Sequence, residues 1–209
     1  MDIGLKVDIS LKRIIAYVID VVFVTMLVTL ITRIPFINPY YEEYNKYYEE
    51  YNKIVESDNK DAIDENLYQK EMIDINYKLA KCNIINGSIS IICMILYFGV
   101  FQFFNSGQTI GKKIMKIKID SNNDKKLNVG NYLIRSIILN NIILRILILT
   151  AVFYLSSKTY YLFSTVIALL ESLIEIIILF MVILKKDSRG LHDIIAGTKV
   201  IPVNKKENK

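Results

Sequence analysis

Four blocks of this chain are too long and too uniformly apolar to belong to the core of a protein folded in water: Ile14–Thr32, Ile84–Phe104, Ile137–Leu155 and Tyr161–Leu184. A helix needs about 20 mostly apolar residues to cross ~30 Å of hydrocarbon, and each block reaches or approaches that length. The stretches between them are dense in Lys, Glu, Asp and Tyr. Hydrophobic residues make up 53% of the chain, and the mean hydropathy of +0.33 is concentrated in these blocks instead of being spread in short periodic groups. Many of the apolar residues are β-branched, which in water would favour strands. In lipid, a spanning segment must satisfy its own backbone hydrogen bonds, so helices are expected. The expectation is an all-α membrane protein: one domain over residues 1–209 with four transmembrane helices.

Basic residues near the span ends set the orientation. Lys6, Lys12 and Arg13 precede the first span. The connection Asn105–Ser136 carries Lys112, Lys113, Lys116, Lys118, Lys125, Lys126 and Arg135 against Asp120 and Asp124. The tail, residues 185–209, carries Lys185, Lys186, Arg189, Lys199, Lys205, Lys206 and Lys209. By contrast, the insertion at residues 33–83 has eleven acidic residues against seven basic ones. Both termini are therefore expected in the cytoplasm and the insertion outside. The net charge of +5 then reads as attraction to anionic lipid and not to nucleic acid, since no aromatic–basic recognition motif is present. The first block follows Lys12 and Arg13 as a secretory signal would, but it is long and lacks a small-residue cleavage site, so it is expected to remain as a membrane helix.

The insertion contains a tandem repeat: Tyr40–Lys46 reads YYEEYNK and Tyr47–Lys53 repeats it. A seven-residue period would stack Tyr40, Tyr44, Tyr47 and Tyr51 on one helical face. With Pro35 and Pro39 punctuating the exit from the first span, a helix is expected after them, and a second over Asp61–Lys81, together forming a small extracytoplasmic helical hairpin. No binding site is expected there. Cys82 and Cys93 are too few and too apolar in setting for a disulfide framework, and His192 is the sole histidine, so no metal site, cofactor or enzymatic activity is expected.

Ionisable groups at membrane depth cost at least ~2.5–3.5 kcal/mol each, so they should face protein or water. Asp20 lies in the first block, Arg145 in the third, and Glu171 and Glu175 in the fourth. Arg13 and Asp20, seven residues apart, share one helix face, and Arg13 is near enough to the end to snorkel. Asp20 is too short for that and must be protonated, paired or hydrated. Glu171 and Glu175, at i and i+4, would repel and so raise at least one pKa; Arg145 offers one of them a partner. Asn140, Asn141 and Gln102 suit interhelical hydrogen bonds.

Three segments look specific: KRIIAYVIDVV (Lys12–Val22), NSGQTIGKKIMKIKI (Asn105–Ile119) and DSRGLHDIIAGTKVI (Asp187–Ile201). In this order and around this span layout they resemble the RDD family of bacterial membrane proteins. The resemblance places the family's Arg at Arg13 and its two Asp residues at Asp20 and at Asp193, which follows His192. The middle motif corresponds through Gly107, Thr109, Gly111 and Lys112. It implies a multi-pass protein of the bacterial cell membrane, with ligand transport or sodium/proton antiport as the associated activity. The GQTIGKK stretch is not a P-loop: the glycines are too close and no Ser or Thr follows the Lys. Its alternation of Lys112, Lys113, Lys116 and Lys118 with Ile114, Met115, Ile117 and Ile119 is expected to lie against lipid headgroups. The segment ending in His192–Asp193, with Gly190 and Gly197 at its ends, reads as a short interfacial helix, where Asp193 accepts hydrogen bonds from Arg13 or caps a neighbouring element.

Two functions follow. The first is exchange of a monovalent cation for protons through Asp20, assisted by Glu171 or Glu175; four spans are few for such a pathway, so a homodimer is expected. The second is a non-catalytic membrane module that binds or organises a partner protein or lipid, with Arg13, Asp20 and Asp193 holding the bundle together.

Overall fold

The computed structural model describes residues 3–57, 65–123 and 125–203. The start of the expected Asp61–Lys81 helix (Asp61 to Asp64), Asp124, the tail lysines Lys205, Lys206 and Lys209, and the side chain of Lys6 lie outside the described residues.

Helix dominates, as the apolar blocks require. Helix α1 (Ile3–Thr32) begins well before the expected Ile14, and its apolar part is Ile9–Thr32. Then come α2 (Tyr41–Ser57) and α3 (Glu65–Cys82). The stretch Ile84–Phe104 is long and apolar enough to cross a membrane, but it is not uniform: α4 (Ile84–Ile95) passes through a π-helical turn (Leu96–Phe101) into α5 (Gln102–Phe104). Past the short α6 (Ile110–Ile114) and strand β1 (Ile117–Ser121) come α7 (Val129–Leu139), α8 (Ile142–Tyr154), α9 (Ser157–Leu184), α10 (Leu191–Ile195) and strand β2 (Thr198–Pro202).

The third block corrects the expected single span Ile137–Leu155. Helix α7 starts at Val129, set by a reciprocal cap in which Asn128 and Asn131 each bond the other's backbone N–H. It ends at Asn140, and the chain bends by 61° before α8. Asn141 makes the break, at φ +51°, a left-handed conformation that Asn tolerates better than most residues. Among the described residues, three helices are therefore long and apolar enough to cross a membrane, and the bent pair supplies a fourth if it counts as one span.

A two-stranded ribbon adds β structure to the expected all-α fold. Strands β1 and β2 pair antiparallel, with Ile117 opposite Pro202, Ile119 opposite Val200 and Ser121 opposite Thr198. The Lys–Ile alternation is a period of two, which puts Ile117 and Ile119 on a buried face and Lys118 and Asp120 on the other. Asp120 faces Lys199 across the strands, a favourable charge pairing. The expectation that this segment lies on headgroups is therefore overturned for Ile117 and Ile119, and for Lys112, which is only 6% exposed.

The chain forms two compact units. The first comprises Met1–Leu27, Ile91–Ile143 and Glu171–Lys209. Its apolar centre is Ala16, Ile117, Ile119, Tyr132 and Val200, with Phe103, Met115 and Leu127 around them. The second comprises Val28–Ser90 and Leu144–Leu170. There α2 and α3 pack as a hairpin, as expected. Tyr77 on α3 donates its hydroxyl to the carbonyls of Val152 (3.1 Å) and Leu155 (2.9 Å), orphan acceptors at the end of α8, while its ring meets Tyr160 at 5.6 Å. The repeat tyrosines do not form the expected single stack. Tyr48 stacks on Tyr44 and Tyr51, and Tyr47 instead lies under the Lys78 ammonium, 5.3 Å from ring to nitrogen.

Candidate functional site

All three sequence motifs converge inside the first unit, where they build two buried polar clusters. The first surrounds Asp20, which α1 presents with no exposure. Oδ1 accepts the Tyr97 hydroxyl and the Gly111 N–H, both at 2.7 Å, and Oδ2 accepts the Thr109 hydroxyl at 2.5 Å. Each donor is placed by a local device. The π-turn buries Tyr97, whose oxygen in turn accepts the Ile110 N–H at 3.0 Å. Thr109 caps α6, so the first turn of that helix points the Gly111 N–H at the carboxylate. A side chain at Gly111 would collide with the Ala16 carbonyl and reach 3.0 Å from Asp20 Cγ; glycine is what lets α6 approach α1. Gly107 terminates the preceding turn at φ +79°, with Ile119 O at 2.5 Å from where a Cβ would sit.

Lys112 lies at the edge of this cluster. Its Nζ is 3.4 Å from Thr109 Oγ1 and 5.7 Å from the centre of the Phe98 ring. Burial, reinforced by Arg135 and Arg13 and opposed by Asp20, pulls its pKa down to about 7. The ammonium is thus close to half-protonated at neutral pH.

The second cluster surrounds Asp193, also without exposure. Two arginines pair with it: Arg13 from α1 on Oδ2 and Arg135 from α7 on Oδ1. The Gly190 N–H and the Thr198 hydroxyl each add a bond at 3.1 Å. Arg13 also donates to the Ser188 carbonyl, and Ser10 on α1 donates to the Val182 carbonyl at the end of α9 at 2.9 Å. Arg189 reaches back to the Thr198 carbonyl at 2.9 Å. His192 Nε2 is 3.3 Å from Asp193 Oδ2. Burial first, and then Arg135, Arg13 and Lys112, hold the imidazole well below its usual pKa, so it is neutral and the contact is not an ion pair. One carboxylate thereby joins the first span, the helix before the third-span break and the C-terminal motif.

The structure brings together Arg13, His192 and Asp193, as the motif pattern implied, and separately Asp20, Thr109, Gly111 and Lys112. It does not bring in the fourth-span carboxylates: Glu171 is half-buried and Glu175 exposed on α9, and neither hydrogen-bonds Asp20. Arg145 is half-buried, with no hydrogen-bond partner for Nε among the described residues. Asn140 meets Tyr17, whose hydroxyl donates to it at 3.2 Å, as the interhelical role required; Gln102 instead donates to the nearby Gly107 carbonyl at 3.2 Å, a bond within its own turn, and Asn141 Nδ2 has no hydrogen-bond partner among the described residues. Arg135 was missed as a site residue. Its signal was a lone cation inside the apolar run Tyr132–Leu139, where a merely solvated lysine or arginine would be out of place.

Compared with known proteins, the chain matches the model of the RDD family over residues 10–197. No curated protein and no solved structure matches it.

Proposed function

From the premise that this chain belongs to the RDD family, we propose that it is a non-catalytic module of the bacterial cell membrane that organises a partner protein or lipid, with both termini cytoplasmic. On this reading its Arg and Asp motif residues act as a latch that fixes the cytoplasmic ends of the spans. The excess of Lys and Arg flanking those ends supports the orientation. The observation that carries the reading is the saturation of both aspartates: Asp20 takes three protein donors and Asp193 two guanidiniums and two further donors. A carboxylate so enclosed is suited to holding elements together. The test is a flux assay in everted vesicles across Na⁺, K⁺ and Li⁺, run with Asp20→Asn alongside and with protein abundance measured. The latch reading expects no cation-dependent proton flux from the parent chain and reduced abundance of the variant. Flux that disappears in the variant at unchanged abundance would overturn it.

One observation favours the second reading, exchange of a monovalent cation for protons, with a homodimer supplying the pathway. Lys112 is a buried proton acceptor in the neutral range beside two hydroxyls and a carboxylate whose oxygens suit a hard monovalent cation. On that reading Lys112 takes the proton-coupling role that Glu171 or Glu175 was expected to fill.

A further inference from the structure

The second unit holds a cavity of about 570 Å³, within the size range of small-molecule sites. Its floor is made where two spans end: Ile84 and Ile85 at the start of α4, Val152 and Phe153 at the end of α8. Its rim belongs to the hairpin. Glu43 and Tyr47, at i and i+4 on α2, face Lys78 and Lys81, at i and i+3 on α3. Repeat and hairpin together thus form a concave surface that the sequence did not lead us to expect.

The chemistry of the walls selects the occupant. The Lys78 ammonium is held over the Tyr47 ring, and that of Lys81 over the Tyr77 ring at 4.3 Å, so these two exposed lysines have their cations positioned by aromatic faces beside the cavity. The lining carboxylate, Glu43, already accepts the Tyr47 hydroxyl at 3.1 Å. Two cations against one engaged anion, above an apolar floor continuous with the spans, complement a molecule with a negative head and an aliphatic tail. Span ends are also where such molecules reside. We propose that this cavity binds a membrane lipid through an anionic phosphate headgroup, with the first part of the acyl chain against Ile84, Ile85, Val152 and Phe153. The proposal is independent of the latch, since no motif residue lines the cavity.

Cys82 lines the cavity, is 5% exposed, and provides the readout. In the full chain carrying Cys93→Ser it is the sole thiol. The protein is placed in phosphatidylcholine nanodiscs at mildly alkaline pH, because burial and Glu43 push the Cys82 thiol up, and alkylation by a small maleimide is timed. Lysophosphatidic acid at ten times its Kd should slow the reaction about tenfold by mass action. Inorganic phosphate, lysophosphatidylcholine and dodecyltrimethylammonium at equal concentration should not. Lys78→Gln with Lys81→Gln should abolish the protection, and Lys78→Arg with Lys81→Arg should keep it. Equal protection by every amphiphile, protection that survives the glutamine pair, or protection by inorganic phosphate alone would each overturn the proposal. So would failure of Cys82 to react without any addition, since the cavity would then not be open.

Discussion

Asp20 and Asp193 are equally enclosed, each with no exposed surface, but their surroundings treat charge in opposite ways. Asp193 is compensated by two guanidiniums, permanent cations in fixed positions. Asp20 is held by two hydroxyls and a backbone N–H, dipoles with no net charge, and the cation that interacts with it, Lys112, is an amine whose pKa is about 7. The first arrangement joins three distant stretches of chain. The second packs a turn and a short helix onto one face of α1 and leaves a titratable partner beside it. Burial alone therefore does not say what a membrane aspartate does; the kind of donor around it does.

The difference is most severely tested at Asp193. Asp193→Asn would leave two buried guanidiniums facing a neutral amide, and breaking a buried pair in this way costs about 3–5 kcal/mol. Thermal unfolding in mild detergent should show the largest fall of any single motif substitution. Arg13→Gln added to Asp193→Asn should restore part of the loss, because one orphaned cation goes with it. A fall no greater than that of a surface substitution would mean that the two arginines do not depend on this carboxylate.

Asp20→Asn keeps the size of the side chain but turns one acceptor oxygen into a donor facing donors. With hydrogen bonds to a charged group contributing about 1.5–3 kcal/mol each and one of three made impossible, the expected loss is ~2–3 kcal/mol. The same unfolding measurement on both variants ranks the two sites. If Asp20→Asn cost more than Asp193→Asn, the neutral cage would be the stronger tie and the comparison would have to be reversed.

Much of the helical framework is legible in the residues, because the bilayer imposes a length and a composition on each span that no later contact can undo. The Arg13–Asp193 tie was also accessible, but through a motif and not through spacing, since 180 residues separate the partners. Arg135 was counted only among the cations that orient the chain. Charge counting treats every arginine near a span end alike and cannot tell a solvated one from one turned inward. The ribbon was hidden for another reason. Ile117 and Ile119 need Val200 to complete their buried face, and a period of two next to lysines reads equally well as a lipid-facing segment until the partner strand is known. The break at Asn140 and Asn141 was visible as a pair of asparagines in an apolar run, but such residues also serve as interhelical hydrogen-bond donors. Only the positive φ of Asn141 decides between the uses.

The smallest effect per step, read for each pH unit, gives the finest test of the contrast, because it separates the titratable cluster from the fixed one. Lys112 has a folded pKa of about 7 against about 10.4 in an unfolded chain. Between those values the unfolded state binds a proton that the folded state releases, so stability should rise with pH across the window, by at most ~1.4 kcal/mol per pH unit. Below about pH 7 both states are protonated and the full burial penalty persists. Lys112→Met removes the amine while keeping its apolar length, so the difference between parent and variant midpoints should shrink steadily from pH 7 to pH 9, with the variant the more stable at the acid end. The charged groups facing the amine are Arg135 on α7 and Asp20 and Arg13 on α1. A parent profile parallel to the variant's would mean that Lys112 is solvated or already paired, and Asp20 would then lose the titratable neighbour that distinguishes it from Asp193.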